Sequence, residues 1–158
     1  MATPLNHRGP DDAGNWIHRE RAVAFAFRRL AIIDTSPAGA QPMVSATGRY
    51  VLVFNGEIYN FQRLRERLEK ESAAPPWRGH SDTEVLLACV EAWGLERAIG
   101  ELIGMFAFAL WDQKARSLTL VRDRLGIKPL YWGTVGDTTL FGSQPKAITA
   151  HPAWRARR

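Results

Sequence analysis

The chain has 158 residues, 46% of them hydrophobic and 23% charged, enough apolar material for one domain with its own core. A single cysteine excludes a disulfide framework and points to a reducing, cytoplasmic setting, and no apolar run is long enough to predict a membrane span. Basic residues exceed acidic ones by 21 to 16, but they lie scattered among acids except at Trp154–Arg158, so no nucleic-acid partner is expected.

Along the chain, Arg21–Ile33 leans towards strand with alternation at its start, and Tyr50–Tyr59 continues in the same style. A Pro/Gly/Ser-rich stretch from Ser36 to Gly48 joins them as an irregular loop. From Asn60 the period changes. Phe61, Leu64 and Leu68 recur at i, i+3 and i+7 among charged residues, which predicts an amphipathic helix with Asn60 as its N-cap. Pro75-Pro76 interrupts the pattern. Ser81-Asp82-Thr83-Glu84 then has capping-box spacing ahead of Leu86, Cys89, Val90 and Trp93, predicting a second helix that stops near Gly94.

A short helix is expected at Glu96–Leu102, followed by a strand at Met105–Trp111 with large residues on one face and small ones on the other. Its partner is Ser117–Arg122. Leu130–Trp132 and Thr139–Gly142 read as further short strands, and Pro145–Ala150 as a helical turn. Strands, central helices, then strands predict an α+β fold of antiparallel sheets with helices layered on them. The domain is expected over 1–150, with 151–158 a basic C-terminal tail.

Several chemistries lack their signatures. There is no Gly-x-x-x-x-Gly-Lys phosphate loop and no Gly-x-Ser-x-Gly elbow, and His7, His18, His80 and His151 have no metal spacing, so no metal or cofactor site is expected. Taken without context, Arg29 reads as an exposed strand arginine and Asn55-Gly56 as a hairpin turn. Asp82 reads as a first-turn acid favourable to the helix dipole, and Cys89 as a core residue on an apolar helix stripe.

Seven ordered blocks change that context. They are His7–Asp12, Arg28–Asp34, Gln41-Pro42-Met43, Phe54–Asn60, His80–Glu84, Gly104–Phe108 and Arg122–Tyr131. Together they resemble the glutaminase domain, a class II glutamine amidotransferase, of glutamine-hydrolysing asparagine synthetase. The resemblance implies an N-terminal nucleophile hydrolase fold, an αββα sandwich of two antiparallel sheets between helical layers. It also implies glutamine amide hydrolysis, with the ammonia used for ATP-dependent amidation of aspartate by a synthetase domain. ATP and Mg would belong to that domain, leaving no cofactor in this one.

By the same resemblance Arg29 grips the α-carboxylate of glutamine, and Leu30, Ala31, Ile32 and Ile33 line the pocket through main chain. The Asn55 side-chain amide and the Gly56 N–H form the oxyanion hole, while Glu57 and Asp82 surround the ammonium group. Asp82 thus carries two compatible roles. Asp123, Arg124 and Lys128 are expected in a structural loop held by internal charge pairing. Gln144 and Pro145 depart from the family pattern, which has a glutamate and an apolar residue there.

The family's nucleophile is a cysteine at the processed N-terminus, with its own amine as base. The resemblance begins at about His7, which implies a chain truncated at both ends, without nucleophile, first strand or synthetase domain. Cys89 and Thr3 are not expected to replace the nucleophile. The expectation is a glutaminase domain inactive alone; the alternatives are a non-catalytic glutamine-binding module or an amidotransferase domain of a polysaccharide or peptide pathway. The expected partners are glutamine and either another copy of the chain or a complementing synthetase domain.

Overall fold

The computed structural model describes residues 1–155. After a 3-10 turn at Thr3–Arg8, β1 (Asp12–His18) and β2 (Val23–Arg29) pair along their whole lengths as an antiparallel hairpin. An irregular stretch leads to β3 (Met43–Val44) and β4 (Tyr50–Ile58), followed by α1 (Phe61–Lys70), α2 (Asp82–Trp93) and α3 (Leu95–Glu101). Then come β5 (Gly104–Asp112), β6 (Ser117–Arg122), β7 (Tyr131–Val135), β8 (Thr138–Gly142), α4 (Pro145–Thr149) and α5 (Pro152–Arg155).

The centre is an antiparallel sheet of order β3-β4-β5-β6. Strand alternation sorts its side chains. Leu52, Phe54 and Ile58 on β4 and Phe106, Phe108 and Leu110 on β5 pack with α1, α2 and α3 into the larger core. Val51, Val53, Ala109 and Trp111 point the other way, against Phe25 of the β1–β2 hairpin and Phe141 of β8. Phe25 and Phe141 meet edge to face with centroids 5.6 Å apart. A third small core of Val135, Leu140 and Ile148 seats α4 and α5 on β7–β8. The molecule is therefore a mixed α/β domain of antiparallel sheets with helices packed on both sides.

Several expectations are corrected. The layer facing the central sheet is two separate two-stranded hairpins, β1–β2 and β7–β8, rather than one sheet. The elements expected from the sequence do not include β1, whose Gly14 and Asn15 are poor strand formers; backbone pairing with β2 makes it a strand nonetheless. Leu30–Ile33 do not extend β2. There the guanidinium of Arg29 donates to the carbonyls of Asp34 and Ser36, and Ala31 N–H to Asp11 Oδ2 at 2.8 Å, folding the chain into a loop.

Helix α2 is buried from Asp82 to Val90 on nearly all sides, not along a single stripe, because α1, α3 and β4 surround it. Asn60 precedes α1 as expected but does not cap it. Its side chain instead donates to Glu101 O and accepts from Ile103 N–H, both at 2.9 Å, tying α1 to the α3–β5 junction. In the 151–158 segment, Pro152–Arg155 forms α5, and the remainder of the expected basic tail, 156–158, lies outside the described residues.

Candidate functional site

On β4, alternate backbone groups face alternate neighbours. Arg49 O and Tyr59 N–H bond across to Gln113 N–H and Ile103 O, so the odd-numbered residues face β5. The even-numbered ones face the opposite edge, which β3 covers only at Leu52 and Val51. Beyond β3 the edge is closed by side chains: Phe54 N–H donates to Gln41 Oε1 at 2.6 Å, and Ile58 N–H to Asp82 Oδ2 at 2.9 Å. Gly56 lies between them. Its edge-facing N–H meets no acceptor among the described residues.

That edge opens into a shallow cleft of about 70 Å³ lined by Arg29, Leu30–Asp34, Gly39, Phe54, Gly56, Glu57 and Ser81–Thr83. The structure therefore brings together Arg29, Leu30, Ala31, Ile32, Ile33, Gly56, Glu57 and Asp82. Asn55 is not in the lining. It alternates onto the face of Val51 and Val53, and its Nδ2 is buried there without a hydrogen-bond partner. Asn55-Gly56 is no hairpin turn, since both residues sit inside β4, opposite Ala107 and Phe106. Glycine at 56 has a packing cause as well: a Cβ would collide with the backbone of Met105 and Phe106.

Arg29 is buried, not an exposed strand arginine. Its guanidinium donates to Ser36 O at 2.9 Å and to Asp34 O, and its other N–H groups meet no acceptor among the described residues. Asp82 is 5% exposed, and burial pushes its carboxyl above the ordinary range, the negative Glu57 nearby adding to the effect while the Ile58 and Thr83 N–H groups oppose it. Two carboxylates beside a buried arginine and an open N–H suit a small zwitterion that also carries a hydrogen-bond acceptor.

Sequence reasoning missed the groups that hold these walls. Asp34 accepts from Ser36 N–H and His80 N–H, each at 2.8 Å, and so joins the 30–36 loop to the turn before α2. The Ser36 and His80 hydrogen bonds hold its carboxyl below the ordinary range. Gly79 fits here because a Cβ would strike the Asp34 carboxylate. Ser81 caps α2 by accepting from Glu84 N–H at 3.2 Å, but the capping box is only half formed. The Glu84 carboxylate takes Arg78 N–H at 2.9 Å and Gly79 N–H at 3.0 Å instead.

The other candidate groups lie elsewhere. Cys89 is fully buried in the larger core, and burial pushes its thiol up to about 12, so it is unreactive. Thr3 is exposed in the first 3-10 turn and does not line the cleft. Asp123 does hold a structural loop, but not by charge pairing. Its carboxylate accepts from Phe106, Leu125, Ile127 and Lys128 N–H, while Arg122 donates to Gly126 O and Lys128 O. Gln144 leaves its Oε1 buried and unpaired before α4.

A roomier cavity of about 220 Å³ lies against the Glu84, Leu87, Ala88 and Glu91 stripe of α2. Its charged groups already have partners: Glu84 holds Arg78 and Gly79, Glu91 holds Thr47, and Arg78 also donates to Val44 O. The smaller cleft, with its open N–H and incompletely used arginine, is the candidate site.

Fold and cleft together define a class: a mixed α/β domain of antiparallel sheets with complementary charges gathered at one strand edge. Residues 1–158 match the glutamine amidotransferase domain family throughout, and the chain belongs to that family. It is 43% identical over 164 residues to asparagine synthetase [glutamine-hydrolyzing] 3 of Bacillus subtilis (strain 168), covering 99% of this chain and 25% of that protein. Asparagine synthetase [glutamine-hydrolyzing] 1 of the same strain is 45% identical over 148 residues, covering 94% of this chain and 22% of the relative. Amidase chry2 of Gibberella zeae is 38% identical over 156 residues, covering 97% of this chain and 23% of that protein. The chain thus spans about a quarter of the length of such relatives and corresponds to their glutamine amidotransferase region. No helix among the described residues is long and apolar enough to cross a membrane.

Proposed function

We propose that the cleft binds glutamine, as the recognition half of an asparagine synthetase-type glutaminase with an N-terminal nucleophile hydrolase fold. Arg29 takes the α-carboxylate, Glu57 and Asp82 take the ammonium group, and Gly56 N–H receives the side-chain carbonyl. Leu30, Ala31, Ile32 and Ile33 border the ligand. The unpaired Asn55 Nδ2 supplies the second oxyanion donor, which requires its side chain to reach the reacting carbonyl from the neighbouring strand face. The observation that carries this reading is the open Gly56 rung between the filled rungs of Phe54 and Ile58.

Hydrolysis needs a nucleophile, and the lone cysteine of these 158 residues is buried in the core. A polypeptide of these residues alone therefore holds glutamine without cleaving it. In the longer asparagine synthetase-type protein, the ammonia would serve ATP-dependent amidation of aspartate; the alternative is an amidotransferase domain of a polysaccharide or peptide pathway. Exposed Leu30, Ile32, Tyr59 and Ile103 flank the cleft or the adjoining strand ends and offer an apolar surface for a synthetase-type domain or a second copy.

Calorimetry tests the reading directly: the 158-residue polypeptide should bind glutamine at up to millimolar concentration and release no ammonia. Absence of both heat and thermal stabilisation would refute glutamine recognition, and sustained ammonia release would refute the non-cleaving assignment.

A further inference from the structure

We propose that Gln41 is a positioning residue that keeps the Gly56 rung of β4 open and aimed at the ligand, an inference that rests on the glutamine reading above. Strand β3 pairs with β4 through Met43 and Val44, and the next position on that side is Gln41, opposite Phe54. The backbone leaves the edge there. Pro42 has no N–H to give, and Gln41 O lies against Gly14 of β1, where a Cβ would collide with it.

The Gln41 side chain takes over the vacated rung. Its Oε1 accepts from Phe54 N–H at 2.6 Å and its Nε2 donates to Phe54 O at 3.2 Å, reproducing the two-bond exchange of a strand neighbour. A side chain can fill one rung and stop, whereas a continuing strand would fill Gly56 as well. The following even rung, Ile58, is held by Asp82 Oδ2. Gly56 N–H thus lies roughly 7 Å along the strand from each filled neighbour, which admits one acceptor group and fixes its direction. Gln41 never touches the ligand in this arrangement. It acts through the strand.

The test compares glutamine with norvaline, which has the same α-carboxylate and α-ammonium groups and no side-chain amide. In Gln41→Leu, glutamine affinity should fall about three- to ten-fold, the effect of one misplaced hydrogen bond, while norvaline affinity stays at the wild-type value. Equal loss for both ligands in a folded variant would make Gln41 a general structural support and overturn the proposal, leaving the glutamine reading intact. A wild-type protein that binds neither ligand would overturn that reading and this inference with it.

Two further measurements apply should Gln41→Leu not fold. Gln41→Glu keeps an oxygen for Phe54 N–H and should lower glutamine affinity more than norvaline affinity while keeping part of the wild-type preference for glutamine; an equal loss for both ligands would count against the proposal. In the wild type, the Gly56 amide proton resonance should move on adding glutamine but not norvaline, while that of Phe54, already bonded to Gln41, stays in place. A bound glutamine that leaves Gly56 unmoved would overturn it.

Discussion

If the cleft binds glutamine as proposed, Asp82 concentrates the conflict between stability and recognition in one side chain. Burial raises its pKa, so ionisation is unfavourable to the fold, yet an ammonium ligand needs the ionised form. Its neutral form adds stability as pH falls through the raised native value, and its charged form adds affinity for the proposed ligand as pH rises through it. Glutamine affinity should therefore begin to weaken on acidification at a higher pH than an ordinary aspartate, of value 3.8, would dictate. Asp82→Asn keeps an oxygen for Ile58 N–H and removes a buried charge. Its melting temperature should equal or exceed that of the wild type, while calorimetry should read glutamine binding weaker by about 10- to 100-fold, the loss of a charge-assisted contact. A parallel loss of stability and binding would contradict this account.

Among the connecting elements, the loop after β6 shows how a carboxylate can replace secondary structure. Asp123 sits where β6 ends, and burial, which pushes its pKa up, is outweighed by four backbone N–H groups that hold it below the ordinary range. Asp34, through Ser36 and His80, and Asp112, through Arg49, are lowered too. Such groups add stability above the ordinary value of 3.8, and that contribution is lost as pH falls below it towards the depressed native values. Acid unfolding should begin in this range. In Asp123→Ala the amides of Leu125, Ile127 and Lys128 should exchange with solvent faster than in the wild type, while those inside α2 keep their protection, as read by hydrogen exchange. Unchanged exchange at those amides would show that the loop is held by something else. The motif was legible in sequence as a structural block, but its bonding was not, because charge pairing and carboxylate-to-backbone bonding have the same residue spacing.

For the molecule as a whole, β4 and β5 are shared by two cores, one against the helices and one against the β1–β2 hairpin. A defect in either should be felt in both. Phe25→Ala in the hairpin should cost roughly 3–5 kcal/mol in denaturant titration. Far-UV circular dichroism, dominated by the helices, and tryptophan fluorescence should report one coincident transition in wild type and variant alike. Separate transitions would show that the hairpin layer unfolds by itself.

Local pattern determined the central strands and the three central helices, and the ordered motifs carried the family resemblance, which in turn named residues that line one cleft: Arg29, Leu30–Ile33, Gly56, Glu57 and Asp82. Those features depend on side-chain periodicity, turn chemistry or residue identity, all of which are written locally. Tertiary structure alone decided that Asn55 leaves the lining and that Asp12–His18 pairs as a strand despite Gly14 and Asn15. It also decided that Gln41, Asp34 and Asp82 close the edges and join the walls of the cleft. These depend on which distant backbone group lies opposite which side chain, and hydrogen-bond partners 13, 24 and 46 residues apart leave no periodic trace in the sequence.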